Sequence, residues 1–149
     1  MEKSIKPLLI LMVDDDEDDR FLTQTALEES EVECKLIFAK DGTEVLDMLL
    51  NGPSDSLGEI PNIILLDLNM PLKNGWQVLQ ELKSNKSLRH IPVVIFTTSS
   101  SSDHVVKSYA MGANSYITKP STFNGLQRVM SSITRYWNDT VSLPKVSPR

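Results

Sequence analysis

The chain has 149 residues, of which 40% are hydrophobic and 23% charged, and these values indicate one soluble globular domain that is too short to carry a separate output domain. Its formal net charge of -5, without a basic cluster, argues against direct binding of nucleic acid. The single cysteine, Cys34, excludes an internal disulfide, and the lack of a long apolar stretch or a signal peptide predicts a cytoplasmic protein that does not enter a membrane.

Five short apolar runs have the length and composition of strands that are buried on both faces of a sheet. In chain order they cover residues 8–13, 34–39, 63–66, 93–96 and, more weakly, 115–118. Cys34 begins the second run, and we interpret it as a small strand residue and not as a reactive thiol. Residues 51–62 contain two glycines and two prolines, so they predict a surface loop before the third run.

Helical patterns alternate with these runs, because apolar residues recur at spacings of three and four. The first pattern follows an acidic segment in which Asp16 can cap a helix. The apolar positions are, in chain order, Phe21, Leu22 and Ala26; Val45, Leu46, Leu49 and Leu50; Val78, Leu79 and Leu82; Val105, Val106, Tyr109 and Ala110; and Leu126, Val129, Met130, Ile133 and Trp137. We expect Trp137 to pack in the core or in a dimer. Because parallel strands need crossovers, the alternation predicts an α/β fold with a five-stranded, doubly wound parallel sheet and helices on both faces.

Polar residues close four of the five apolar runs. Asp14 and Asp15 follow the first run, Asp67 the third, Thr97 the fourth and Lys119 the fifth. Ligands of such sheets bind at the carboxyl ends of the strands, so we expect these side chains to converge. Singly, each has an ordinary explanation as a helix start, a turn residue, a strand residue or a surface charge, but their joint placement favours a functional site.

Crowded carboxylates repel one another unless protons or a cation relieve the repulsion, which predicts a divalent metal ion here. Mg²⁺ prefers oxygen ligands, and Asp15, Asp67 and the backbone carbonyl of Asn69 can supply them. Asp67 is then placed for nucleophilic attack on phosphorus, while Thr97 and Lys119 stabilise the charge of the phosphoryl oxygens. The remaining acids up to Asp19 are interpreted as a solvated helix start.

These residues carry a family resemblance: from about residue 8 to 137 the chain resembles a two-component response-regulator receiver, a domain of flavodoxin-like topology. The resemblance rests on Val13-Asp14-Asp15, on the segment from Leu65 to Pro71 around Asp67, on Phe96-Thr97-Thr98 and on Tyr116-Ile117-Thr118-Lys119-Pro120. Asn74-Gly75 stands where Asp-Gly is commoner.

The resemblance implies a role for each residue of the site. Asp67 is the phosphoacceptor, and Thr97 and Lys119 hold the phosphoryl group. The metal site for Mg²⁺ or Mn²⁺ comprises Asp14, Asp15, Asp67 and the carbonyl of Asn69. A switch is implied in which Thr97 moves toward the phosphoryl group and Tyr116 turns from exposed to buried. The bond between Lys119 and Pro120 is expected to be cis.

The ends of the chain resemble those of the small response regulators of phytochrome histidine kinases, both in the loop at 51–62 and in the tail from Tyr136 to Pro144. This implies a single receiver domain over residues 1–149, with a core at 8–137 and a tail at 138–149. The implied partners are a sensor histidine kinase, here a bacterial phytochrome, and a second copy of the chain bound through the face of the fourth helix, fifth strand and fifth helix. The protein is expected to be a phosphoacceptor and not an enzyme acting on external substrates.

Three other functions compete with this interpretation. A phosphatase that forms an aspartyl phosphate needs a second acid two positions after the nucleophile, where this chain has Asn69, and an amide cannot shuttle the proton. A mononucleotide binder on the same sheet needs a phosphate-binding loop after the first strand, where this chain has acids. A degenerate receiver would act only as an interaction module, but the residues expected of an active one are all present.

Overall fold

The computed structural model describes residues 7–30, 32–51 and 60–144. The predicted loop at 51–62 lies mostly outside these described residues, as does the end of the tail after residue 144. Among the helices of the described ranges, none has the length and apolar character needed to cross a bilayer.

Five parallel strands form one sheet, as predicted. They are β1 (Leu8–Val13), β2 (Cys34–Ala39), β3 (Ile63–Leu66), β4 (Val93–Thr97) and β5 (Ser115–Thr118). The order across the sheet is β2-β1-β3-β4-β5, so β1 and β3 pair at the centre. The bounds agree with the apolar runs except in β4, which extends one residue further to include Thr97.

The helices follow the strands in alternation. They are α1 (Glu17–Glu28), α2 (Gly42–Leu46), α3 (Gly75–Ser84), α4 (Ser102–Ala110) and α5 (Phe123–Arg135). Helices α2 and α5 continue directly into π-helical turns at Asp47–Asn51 and Tyr136–Thr140. Each helix has a polar cap: the Asp16 side chain accepts hydrogen bonds from the first turn of α1, as predicted, and Asn74 and Gln77 form a reciprocal capping box on α3.

The core divides into two layers because successive residues of a strand point to opposite faces of the sheet. Leu11 and Val13 of β1 face one cluster, which α2 and α3 complete. Ile10 and Met12 face the other, which α1 and α5 complete. Trp137 belongs to this second cluster and is 9% exposed, which confirms its predicted role in core packing.

Helix α4 departs from the predicted pattern. Its apolar residues were expected to form a buried stripe, but Val106 is 69% exposed and Tyr109 49% exposed. The residue of α4 that is fully buried is Ser108, whose hydroxyl donates to the carbonyl of His104. The reason is position: α4 packs beside β5, an edge strand of the sheet, so little protein lies over its outer side.

Candidate functional site

The carboxyl ends of four strands bring the predicted side chains together. Backbone hydrogen bonds continue the ladder past the strands and fix this register: Asp67 donates from its amide to Val13 (3.1 Å), and Lys119 to Thr97 (2.7 Å). The amide of Asp14 donates to Ala39 of the neighbouring β2 (3.1 Å). These bonds explain why residues far apart in the sequence meet at one edge of the sheet.

Three carboxylates form the acidic part of the site. Oxygens of Asp14, Asp15 and Asp67 all lie within 4.8 Å of one another. Asp14 and Asp67 are buried and Asp15 is exposed, so the cluster opens to solvent on one side. Oxygen donors of this charge and spacing fit a hard divalent cation, which keeps several of its waters. Asn69 is exposed in the loop after β3, and its backbone N–H donates to Oδ1 of Asp67 (3.4 Å).

Lys119 supplies the positive charge of the site. Its Nζ lies 2.6 Å from Oδ2 of Asp14, 2.7 Å from Oδ2 of Asp19 and 3.3 Å from Oδ2 of Asp67. The lysine side chain is 9% exposed, so these pairs are screened little by solvent. The ammonium therefore offsets the repulsion among the carboxylates and already lies beside the predicted phosphoacceptor.

Burial raises the pKa of Asp14 to about 6, although the hydrogen bond and charge of Lys119 oppose the shift. Burial would lower the pKa of Lys119, but its hydrogen bonds to Asp14 and Asp19 and the charge of Asp67 outweigh burial and raise it. Lys119 therefore stays protonated at any physiological pH, while Asp14 binds a proton in mildly acidic solution.

Thr97 has a buried hydroxyl without a partner among the described residues. The residue is fully buried at the end of β4, and a buried hydroxyl left unpaired costs about 1–3 kcal/mol. An oxygen of a bound ligand would complete this hydroxyl. Its place at the strand end next to β3 fits a donor to an oxygen attached to Asp67.

Tyr116 is half-buried, and its hydroxyl donates to the carbonyl of Ser99 in the loop after β4 (2.8 Å). The Ser99 hydroxyl also lies 2.7 Å from Nδ1 of His104, whose ring packs edge-on against Trp76. Ser99 thus connects β5 to the start of α4. The ring of His104 therefore has partners both in this loop and on α3.

Gly75 sets the distance between α3 and the loop that begins at Asp67. A Cβ atom at this position would lie 2.2 Å from the carbonyl oxygen of Asp67, so only glycine fits. The amide of Gly75 also donates to the carbonyl of Leu68 (3.0 Å). This close approach explains the glycine of the Asn74-Gly75 pair in physical terms.

Two residues of the site were missed in the sequence. Asp19 was assigned to the solvated helix start, but its carboxylate pairs with Lys119. Arg20 donates from its guanidinium to the carbonyl of Asp14 (2.7 Å). The available signal was weak, because Asp19 stands in the first turn of α1 beside Glu17 and Asp18, which make no such contact among the described residues.

The peptide bond between Lys119 and Pro120 is trans, so the expectation of a cis bond is wrong for this structure. The two isomers of such a bond differ by only about 0.5–1 kcal/mol, so local contacts can select either one. Here the Lys119 side chain still reaches the carboxylates, and its amide still bonds to Thr97.

Comparison with known proteins agrees with this geometry. The response regulator receiver domain family matches residues 10–131. The chain is 38% identical over 143 residues to the response regulator Rcp1 of Synechocystis sp., which covers 96% of this chain and 97% of that protein. The crystal structure of Mn²⁺-bound Rcp1 superposes with a TM-score of 0.82 at 39% identity, covering 93% of this chain and 100% of that chain. The phosphorylated cyanobacterial phytochrome response regulator RcpA gives a TM-score of 0.85 at 36% identity, covering 94% and 100%. With this fold and these relatives, the chain belongs to the response regulator receiver domain family.

Proposed function

We propose that this protein is a stand-alone response regulator whose Asp67 accepts a phosphoryl group from a phosphohistidine of a sensor histidine kinase. The observation that carries the proposal is the convergence of Asp67, Thr97 and Lys119 beside the acidic cluster. RcpA is a phytochrome response regulator whose structure is of the phosphorylated protein. This similarity supports both the reaction and a phytochrome as the kinase. Transfer of label from such a kinase to the wild-type chain, and not to Asp67→Asn, is the test.

In the proposed reaction a carboxylate oxygen of Asp67 forms a bond to phosphorus while the bond between phosphorus and the histidine nitrogen breaks. The electron pair of that bond leaves with the imidazole, and the product is an acyl phosphate on Asp67. The Lys119 ammonium, 3.3 Å from Oδ2 of Asp67, donates to the transferred phosphoryl oxygens. The unpaired hydroxyl of Thr97 provides a second donor.

The residues that would hold Mg²⁺ or Mn²⁺ are Asp14, Asp15, Asp67 and the backbone carbonyl of Asn69. The carboxylate spacing supports this assignment, and a related receiver binds Mn²⁺. When bound, the ion neutralises charge on the transferred phosphoryl oxygens. Asp14 also holds Lys119 at 2.6 Å, so the same carboxylate positions both cationic groups.

The affinity for the metal ion should fall as the pH falls, because Asp14 then becomes protonated. Its carboxyl group has a pKa of about 6, and a metal ligand must be deprotonated. We expect Mg²⁺ affinity to be nearly constant above pH 7 and to fall by about tenfold per pH unit below pH 6, as one bound proton competes. Mg²⁺ titrations followed by tryptophan fluorescence at several pH values measure this. An affinity that stays constant down to pH 5 would rule out Asp14 as the competing group.

In the proposed function, the protein does not hydrolyse external phosphate esters. Asn69 stands two positions after Asp67, where a proton-transferring acid would be needed, and an amide cannot take that role. Hydrolysis of the acyl phosphate is therefore expected to be slow, so the phosphorylated state persists as a signal. The chain catalyses only its own phosphorylation and dephosphorylation.

The output surface proposed for this signal is formed by α4, β5 and α5, and we expect it to bind a second copy of the chain. Phosphorylation draws Thr97 toward the phosphoryl group, and Tyr116 buries further as the loop after β4 moves. The Tyr116–Ser99 contact and the exposure of Val106 and Tyr109 support this surface, since apolar side chains of this size gain from burial in an interface.

Self-association should change on phosphorylation or on binding of a beryllofluoride mimic. Val106→Glu places a charge in the proposed interface and should raise the dimer dissociation constant by about tenfold or more. Leu72→Glu is the matched control, since Leu72 is an apolar residue of even higher exposure, 81%, that lies outside the α4-β5-α5 surface. Sedimentation velocity measures both variants with and without beryllofluoride. One unchanged species in every sample would contradict the dimer.

A further inference from the structure

Lys119 uses all its hydrogen-bonding capacity in the structure. An ammonium has three N–H donors, and three carboxylates accept them: Asp14 at 2.6 Å, Asp19 at 2.7 Å and Asp67 at 3.3 Å. The bonds to Asp14 and Asp19 are short, and the bond to Asp67 is long. The N–H donor that now reaches Asp67 is available to a phosphoryl oxygen, but Lys119 can make a second contact with the phosphoryl group only if one of the short bonds is given up.

The two short bonds differ in how easily they can be released. The Asp14 side chain is 1% exposed and also accepts from the amide of Asp16 (2.9 Å), so it would remain buried as an unpaired charge. The Asp19 side chain is 33% exposed, so water can solvate it after release. Asp19 also stands in the first turn of α1, where the helix dipole stabilises a negative charge without a partner.

Space for such a movement exists next to the lysine. A cavity of about 140 Å³ is lined by Asp19 and Lys119 together with Phe96, Thr98 and Pro120. The lysine Nζ also lies 5.9 Å from the centre of the Phe96 ring. The side chains of Asp19 and Lys119 therefore have free volume beside them in which to move apart.

We propose that Asp19 is a positioning residue that holds the Lys119 ammonium in the resting state and yields it to the phosphoryl group on Asp67. The inference deepens the proposed function and rests on it. Its consequence is that the Asp19–Lys119 pair slows phosphorylation, because that pair must break before Lys119 can direct a second N–H donor at the phosphoryl oxygens.

The test compares the rate of phosphorylation by phosphoramidate, a small donor, at saturating Mg²⁺ for four full-length proteins. Asp19→Asn should be phosphorylated about threefold faster than wild type, the size expected for loss of a partly exposed ion pair. Asp18→Asn removes the same charge from the same helix turn without a contact to Lys119, and it should match wild type. Asp19→Glu restores a carboxylate and should return the rate to the wild-type value, which a merely structural role would not require.

The outcomes separate this inference from the function on which it rests. If wild type and Asp18→Asn are phosphorylated and Asp19→Asn is equal or slower, the positioning role is wrong and the proposed function stands. If Asp18→Asn accelerates as much as Asp19→Asn, the effect is one of net charge and the inference also fails. If wild type takes up no phosphoryl group, both the proposed function and this inference are overturned.

Discussion

Asp67→Asn should abolish phosphorylation of the chain, with the rate reduced by at least about a hundredfold, because a neutral amide is not a nucleophile toward phosphorus. The substitution conserves shape at a side chain that is 10% exposed, so the fold should persist. It also removes one of the three clustered carboxylates, which lowers the repulsion in the pocket. The loss of labelling would therefore report chemistry and not unfolding.

Incubation with Mg²⁺ and labelled phosphodonor, followed by intact-mass measurement, quantifies the product. Asp103→Asn is the control, because Asp103 is an exposed acid in the first turn of α4 and stands apart from the acidic cluster. It should be labelled like wild type, while circular dichroism confirms that both variants are folded. Equal labelling of Asp67→Asn would show that another residue is the acceptor.

Lys119→Met should lower the free energy of unfolding by about 3–5 kcal/mol at neutral pH in the absence of divalent metal. The variant keeps much of the side-chain volume but leaves Asp14 and Asp67 as buried carboxylates without their cation. Urea unfolding followed by tryptophan fluorescence measures the change. Lys73→Met is the matched control: its pair with Glu81 is 27% and 38% exposed, so the cost there should be about 0–1 kcal/mol.

Two conditions should recover part of the stability lost in Lys119→Met. Added Mg²⁺ should restore part of it, because the ion replaces the missing positive charge. Lower pH should also help. Asp14 has a pKa in the folded wild type of about 6, above its ordinary value of 3.8, so protonation favours the folded state as pH falls through that range. Loss of Lys119, which opposes the shift, moves the folded pKa higher still. A loss no larger than that of Lys73→Met would contradict this account of the charge balance.

The three inner strands were predictable because β1, β3 and β4 are buried on both faces and therefore consist of uninterrupted apolar runs. The edge strands β2 and β5 are only partly buried, so the expectation of burial on both faces is wrong for them. Polar residues such as Asp67 and Lys119 then mark the strand ends, and the rule for parallel sheets places them at one edge. The predicted convergence required no knowledge of side-chain contacts, since the strand order and register alone bring these positions together.

The remaining features depend on packing that periodicity does not encode. Val106 and Tyr109 follow the spacing of a buried helix face, but α4 lies against an edge strand that leaves them exposed. Asp19 has the same local signal as Asp18, and only the rotation of α1 about its own axis decides which carboxylate meets Lys119. The Ser99–His104 contact likewise depends on the course of the loop after β4.

Thr97 shows why function and stability differ at this site. The buried hydroxyl of Thr97 has no protein partner among the described residues, so packing alone gives no reason for a hydroxyl at this position. A phosphoryl oxygen on Asp67 would supply the missing acceptor. In the proposed function, the Thr97 hydroxyl gains this acceptor only in the phosphorylated state.

A crystal structure of the chain with Mg²⁺ and beryllofluoride tests the central claim most directly. Beryllofluoride should be bound to a carboxylate oxygen of Asp67, with the hydroxyl of Thr97 and Nζ of Lys119 both within hydrogen-bond distance of its fluorines. Beryllofluoride on a different residue, or a Lys119 side chain that makes no contact with it, would contradict a phosphoacceptor pocket built from these strand ends.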